Sequence, residues 1–141
     1  MTLGLSVFIY VVFLGYGGDQ TLSQSRTDCE AYFDKGLNKI IYREPDVQAE
    51  FRGGSSEMYK FIAKGLILTD QEWEDIGKYL TMTFIIDERG KCFLQDISKN
   101  ARYIGQIKRK VNRCIDSMPL WKPARCNGKT VAVKWSMPIR T

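Results

Sequence analysis

Residues 116–141 decide the fold of this chain, and they read Asp-Ser-Met-Pro-Leu-Trp-Lys-Pro-Ala-Arg-Cys-Asn-Gly-Lys-Thr-Val-Ala-Val-Lys-Trp-Ser-Met-Pro-Ile-Arg-Thr. A helix that runs into this stretch is stopped by Pro119, and an alternating strand follows from Thr130 to Met137. Asn127-Gly128 between two extended runs predicts a β-hairpin, because a type I′ turn needs positive φ at both central residues. We expect the last strand to lie at an uncovered sheet edge, where another chain can pair.

The composition is that of one folded domain. The chain has 141 residues, of which 44% are hydrophobic and 12% aromatic, and its net charge is +5. A chain of this length can bury a core without metals or obligatory disulfides. It contains no His, which excludes Ser-His-Asp and Cys-His catalysis as well as His-ligated metals. We therefore predict a protein without a cofactor or metal site.

The first 18 residues differ from the remainder. The stretch from Leu3 to Phe13 is almost wholly apolar, but the apolar run is shorter than the ~20 residues that a membrane-spanning helix needs. Its length suits a secretory signal peptide, and Gly15-Tyr16-Gly17 is a candidate cleavage site. The alternative, a buried helix or strand, is supported by the absence of Lys and Arg before the apolar run. We predict that residues 1–18 are a signal peptide that directs export or, as the alternative, a short apolar segment.

Export would place the four cysteines in an oxidising compartment. Cys29, Cys92, Cys114 and Cys126 allow three full pairings, among which the sequence does not choose. No two lie within four residues of each other, so their spacing does not predict a zinc site. Four small buried hydrophobic side chains are the alternative interpretation.

Residues 19–44 are predicted to form a leader before the main domain, which spans residues 45–141. The leader begins with the polar stretch Asp19–Thr27. We expect a short helix over Cys29–Leu37 and a short strand or extended segment over Asn38–Glu44.

The remaining elements follow from periodicity and capping. Ser55 or Ser56 is expected to cap a helix, and a second helix begins at Thr69, where Thr-Asp-Gln-Glu has the form of a capping box. Alternation from Leu80 predicts a strand, with Cys92–Ile97 as its partner. A long helix follows, with its apolar stripe at Ile104, Ile107, Val111, Cys114, Ile115 and Met118. The order predicts an α+β domain with an antiparallel sheet backed by helices.

Three pieces of the sequence carry a resemblance to a known family. Glu50-Phe51-Arg52-Gly53-Gly54 precedes the first amphipathic helix, and Leu80-Thr-Met-Thr-Phe-Ile-Ile-Asp-Glu-Arg-Gly-Lys covers the first long strand and its turn. The third piece combines Met118-Pro-Leu-Trp-Lys-Pro-Ala, Asn127-Gly128-Lys129 and Met137-Pro138-Ile139. Together they resemble the C-terminal domain of TonB-type energy transducers.

The resemblance implies a three-stranded antiparallel sheet packed against two or more helices, and no enzymatic activity. In this family the domain lies in the periplasm and grips an N-terminal segment of an outer-membrane transporter, which adds as a strand beside the last strand. The positions of this chain that match the gripping strand are Thr130, Val131, Ala132, Val133, Lys134, Trp135, Ser136, Met137 and Pro138.

The chain departs from a full energy transducer. It has no His for a coupled transmembrane segment and only four Pro, too few for a Pro-rich spacer. We therefore expect a stand-alone periplasmic version of the domain that binds a transporter peptide. Two alternatives remain: an envelope protein that pairs with a second copy through the same edge, and a fragment of a full transducer.

Other residue groups have plainer interpretations. Trp121 and Trp135 are expected in the core, although stacking on a ligand is the alternative. Glu72 and Asp75 are placed to complement a helix dipole on an exposed helix, and no catalytic constellation or small-molecule site is expected. A basic cluster on the long helix is interpreted as a solvated face, without nucleic-acid binding: Lys99, Arg102, Lys108, Arg109, Lys110 and Arg113.

Overall fold

The computed structural model describes residues 29–98 and 101–140. The predicted signal peptide and the polar stretch after it lie outside the described residues. The elements in chain order are β1 (Ala31–Asp34), β2 (Lys39–Tyr42), α1 (Gly54–Gly65), α2 (Asp70–Ile76), β3 (Tyr79–Ile86), β4 (Cys92–Ile97), α3 (Ile104–Asp116), β5 (Ala124–Cys126), β6 (Lys129–Val131) and β7 (Val133–Arg140). Within the described ranges, each helix is too short or too polar to cross a bilayer.

The predicted α+β class is confirmed, and the sheet is larger than expected. Five strands form a sheet in the order β1-β2-β7-β3-β4, and β5 and β6 form a separate two-stranded sheet. The expected three-stranded antiparallel sheet is the part made by β7, β3 and β4. The predicted sheet did not include β1 and β2, which join it through one parallel bridge between Tyr42 and Val133.

The predicted helix over Cys29–Leu37 is wrong, because this segment forms β1 and the turn after it. The Asp34 carboxylate accepts hydrogen bonds from the backbone N–H groups of Gly36 and Leu37. Such a side-chain turn replaces helical bonds with local ones. Asn38 then takes a positive φ of 50°, and the chain returns as β2, which lies within the extended segment predicted from Asn38.

The β1–β2 hairpin covers the face of the sheet opposite the helices. Ile41 is fully buried there against Ile85 and Ala132. At the far end of the hairpin the Gln95 side-chain amide donates to Asp34. A disulfide between Cys29 and Cys126 attaches the start of the hairpin to β5. The described part of residues 19–44 therefore packs as part of the same domain as residues 45–140.

The helical face of the sheet buries the alternating side chains predicted for the first long strand. Leu80, Met82, Phe84 and Ile86 are fully or almost fully buried beneath the helices. The predicted capping box of α2 is confirmed at Thr69. The predicted serine cap of α1 is wrong, because Gly53 is the N-cap residue. Gly53 and Gly54 both have positive φ, so the glycines make the turn into the helix and both serines fall inside it.

The predicted strand from Thr130 is divided in two. Val131 still pairs with Ala124 in the small sheet, whereas Val133 already pairs with Ile86 in the large one. Ala132 is the residue between them, and it is buried against Ile41 on the face opposite the helices. The chain changes sheets at this residue, so β6 and β7 are separate strands. The predicted turn before β6 is confirmed, since Asn127 and Gly128 have φ values of 50° and 76°.

Candidate functional site

One edge of β7 is open over much of its length, although β7 lies between β2 and β3 and the outer edges of the sheet belong to β1 and β4. Thr81 directs its backbone groups toward Ser98 at the end of β4, because Ser98 N–H donates to its carbonyl and its own N–H donates to Ser98 Oγ. In an antiparallel ladder the residue opposite, Pro138, is then not hydrogen-bonded to β3. The same alternation applies along β7. Lys134, Ser136, Pro138 and Arg140 therefore direct their backbone groups away from β3.

The β2 strand covers only the first residues of this edge. Tyr42 N–H donates to the Ala132 carbonyl at 2.8 Å, and the bridge between the two strands is confined to Tyr42 and Val133. Among the described residues, no strand pairs with the edge beyond Lys134. Ser136 is the central residue of the free portion and has both an N–H and a carbonyl directed outward. Pro138 has only a carbonyl, because proline lacks an N–H.

An apolar groove of about 220 Å³ runs between α1 and this half of β7. Met137 and Ile139 form its floor, Tyr59 and Ala63 form the α1 wall, and Trp73 of α2 also lines it. Tyr59 is 45% exposed, which is high for an aromatic side chain beside a core. The α1 residues that point inward, Ile62 and Leu66, also contact the core over β3. The groove thus lies on the helical face of the free half of β7.

A separate, smaller cavity of about 140 Å³ lies beside Trp135, nearer the start of β7. Trp135 stacks on Phe84 and meets Trp121 edge-on, with ring centroids 6.2 and 5.5 Å apart. Trp121 is buried, as predicted, and Trp135 is half-buried. The two rings therefore support the strand from the helical side, and both line this cavity.

The predicted gripping strand is only partly at the free edge. Thr130 and Val131 belong to β6, and Ala132 and Val133 are buried where β2 meets β7. The free portion comprises the last four predicted residues, Trp135 to Pro138, together with Ile139 and Arg140. Sequence reasoning missed these last two, although the alternation of β7 continues through them. It also missed Tyr59 and Ala63, for which the α1 periodicity offered the available signal.

The side chains of β7 divide cleanly between two faces. Val133, Trp135, Met137 and Ile139 face the helices, and Lys134, Ser136, Pro138 and Arg140 are exposed on the other face. Within the part of the chain that the structure describes, neither Lys134 nor Arg140 forms an ion pair. The free edge thus has an apolar side and a cationic side.

The carboxylates considered as a possible acid–base pair have structural contacts. Glu72 is not on an exposed helix as predicted, since it is only 2% exposed. It accepts a hydrogen bond from Lys110 Nζ at 2.5 Å and another from Thr69 N–H at 2.7 Å. These contacts, with that of Lys110 the largest, lower the pKa of Glu72 from its ordinary value. Asp75 accepts from Tyr103 N–H, so both carboxylates connect α2 to α3.

Two of the four cysteines form a disulfide and two are free thiols. Asp46 lies close to the sulfur atoms of Cys29 and Cys126, a grouping that could ligate a metal. However, the two sulfurs are bonded to each other, and the carboxylate accepts the Asn127 N–H. Cys92 and Cys114 are buried free thiols. Burial raises the pKa of Cys92 to about 12, which leaves it as an unreactive thiol at neutral pH.

The basic cluster lies on the outer face of α3, and the part of it that the structure describes is mostly exposed. Lys108, Arg109 and Arg113 project from the helix, while Lys110 pairs with Glu72. Lys99 lies outside the described residues. Gly105 and Asn112 interrupt the cluster.

Comparison with known proteins adds no relative, since no protein-family model, curated protein or solved structure matches this chain significantly.

Proposed function

We propose that this protein is a non-enzymatic binding module of the cell envelope that captures an extended peptide by strand addition to the free edge of β7. The peptide would continue the sheet beyond β7 and lie along the groove beside α1. Backbone hydrogen bonds would supply affinity that tolerates many sequences, and the groove would select among side chains. The free half-strand beside an open apolar groove is the observation that carries the proposal.

The partner that we propose is the N-terminal segment of an outer-membrane transporter, as in TonB-dependent transport. The support for this partner is the resemblance of residues 45–139 to TonB C-terminal domains. A periplasmic location follows from the predicted signal peptide, and the disulfide between Cys29 and Cys126 fits an oxidising compartment. The chain would then be a stand-alone version of the gripping domain.

Only part of β7 is available for pairing with such a peptide. Because β2 occupies the edge at Val133, we place the added strand opposite residues 135–140. Ser136 can donate and accept, whereas Pro138 can only accept. A peptide of about six residues is enough to use this edge fully, since a strand rises about 3.3 Å per residue on both sides of a pair.

Replacing Ser136 with Pro tests the pairing directly. The change removes the outward N–H but leaves the backbone ladder to β3 intact, because the backbone groups of Ser136 point away from β3. It also removes the exposed contact at 3.4 Å between the hydroxyls of Ser136 and Thr83. The matched control is Ser136→Thr, which keeps the N–H and suits a strand. Loss of one hydrogen bond is expected to weaken binding about threefold to tenfold in Ser136→Pro and not in Ser136→Thr.

The measurement is an NMR titration with synthetic peptides that cover N-terminal segments of outer-membrane transporters encoded beside this chain. Shifts are expected along residues 135–140 and along the α1 side of the groove. Shifts confined to α3 or to β5 and β6, or the same affinity in both Ser136 variants, would contradict strand addition at β7.

Self-association through the same edge is the alternative outcome. It predicts a mass that rises with concentration in light scattering, and a return to monomer in Ser136→Pro. A constant monomer mass from micromolar to millimolar concentration, combined with peptide-induced shifts, favours peptide capture.

A further inference from the structure

The free edge of β7 has two chemically different sides, and an added strand would meet both. Residues of paired strands that lie opposite each other share a face of the sheet. Peptide residues opposite Met137 and Ile139 would enter the groove between α1 and β7, and one opposite Trp135 would face the same helical side. The alternate peptide residues would lie on the other face, beside Lys134, Ser136, Pro138 and Arg140.

The groove side is apolar. Its floor is formed by Met137 and Ile139, and its wall by Tyr59 and Ala63. Ala63 has the small side chain that leaves space on the α1 side, and the cavity of about 220 Å³ can hold more than one aliphatic side chain. Burial of each is favourable in proportion to the apolar area removed from water.

The other side is cationic. Lys134 lies just before the free portion and Arg140 lies at its end, and both are exposed with no ion pair to a described residue. Ser136 and Pro138 between them are uncharged. An acidic side chain opposite or diagonal to either cation would form a cross-strand pair, and a basic one would be repelled.

We infer that the peptide captured at β7 alternates bulky apolar residues with acidic residues, with its apolar side chains in the groove and its carboxylates beside Lys134 and Arg140. This inference rests on the proposed strand addition and specifies the class of peptide that the edge selects. The groove and the two cations lie on opposite faces of one half-strand, so only an alternating sequence satisfies both.

Three acetylated, fluorescein-labelled seven-residue peptides test the inference by fluorescence anisotropy. One alternates Glu and Val, one alternates Lys and Val, and one alternates Glu and Ser. We expect the Glu/Val peptide to bind about tenfold more tightly than the Lys/Val peptide, from two cross-strand pairs, and more tightly than the Glu/Ser peptide.

Charge reversal on the protein locates the effect. In the double variant Lys134→Glu/Arg140→Glu the order of the Glu/Val and Lys/Val peptides is expected to reverse. The matched control, Lys108→Glu/Arg109→Glu, makes the same change in net charge on the exposed face of α3 and is expected to preserve the order. Both pairs are exposed, and circular dichroism verifies that the variants fold.

The outcomes separate this inference from the proposal beneath it. If all three peptides bind equally and Ser136→Pro weakens all of them, strand addition stands and the selection of acidic and apolar residues is overturned. If the α3 variant reverses the order as strongly as the β7 variant, the selection is due to net charge and is likewise overturned. If no peptide binds to the wild-type protein, both are overturned.

Discussion

Removing the disulfide between Cys29 and Cys126 is expected to destabilise the domain strongly. The bond joins residues 97 positions apart and attaches the β1–β2 hairpin to the small sheet. The variant Cys29→Ala/Cys126→Ala breaks this link without adding a polar group to the buried site of Cys126.

The loop length determines the expected magnitude. In the chain-entropy model, a cross-link that closes about 100 residues stabilises the folded state by about 4.7 kcal/mol, by restricting the unfolded chain. We expect the double variant to lose about 3–5 kcal/mol, a large part of the roughly 5–15 kcal/mol typical of a domain. This value assumes that the folded structure is the same without the bond. We expect that to hold, because Ile41 is fully buried against Ile85 and Ala132 and keeps the hairpin in place.

Urea denaturation monitored by Trp fluorescence measures the loss, after non-reducing digestion and mass spectrometry verify the bond in the wild-type protein. The urea slope should rise slightly, since the unfolded chain exposes more surface without the cross-link. Cys92→Ala is the control, because it removes a buried free thiol and is expected to cost only about 1 kcal/mol. A double variant no less stable than this control would refute the reasoning.

Three further predictions concern single residues. Glu72→Gln should flatten the fall in stability at acid pH. The pKa of Glu72 is lowered in the folded protein, so its contribution to stability is present above the ordinary value of 4.5 and is lost as pH falls through the folded-state pKa. Urea denaturation from about pH 2.5 to about pH 7 measures the effect, and parallel stability curves for the variant and the wild-type protein would contradict it. Gly90→Ala should cost about 2–5 kcal/mol in thermal unfolding, because φ is +86° and a Cβ would lie 2.0 Å from the Trp121 carbonyl. The control Gly128→Ala, with positive φ but open space, should cost only about 1–2 kcal/mol. Burial raises the pKa of Cys92 to about 12, so this thiol should resist iodoacetamide in the folded protein at about pH 8, near the ordinary pKa of a thiol. Labelling of Cys92 in the folded protein as fast as in urea would contradict this.

Elements determined by local interactions could be predicted from the sequence. The capping box at Thr69 requires only residues within one turn, and it is present in the structure. The burial of Leu80, Met82 and Phe84 follows from strict alternation. In the same way, Asn127-Gly128 determines its own turn, since both residues adopt positive φ.

Elements determined by distant contacts could not be predicted. The segment that forms β1 has a composition compatible with a helix, and pairing with β2 together with the turn at Asp34 determines its conformation. The division of the final strand at Ala132 has no local signal in the sequence. It depends on contacts that β2 and β3, which are distant in the chain, make near this residue.

The candidate site shows the same division. The sequence predicted a terminal strand with an apolar face, and β7 has that face. The outward direction of the Ser136 backbone groups depends on the register with β3, and the groove depends on where α1 crosses β7. Both are tertiary properties, so the predicted site began at Thr130 and ended before Ile139 and Arg140.

The position of β7 between β2 and β3 also has a consequence for the order in which the domain can form. Every other described element precedes β7 in the chain, yet β7 is the strand that joins the β1–β2 hairpin to the remaining strands. During synthesis, a chain that has not yet reached residue 133 can form its helices and the two hairpins β1–β2 and β3–β4, but it lacks the strand that joins them into one sheet. Contacts between distant parts of a chain form slowly, and incomplete sheets aggregate. The domain is therefore expected to fold only after its last strand has been made, in a single late step.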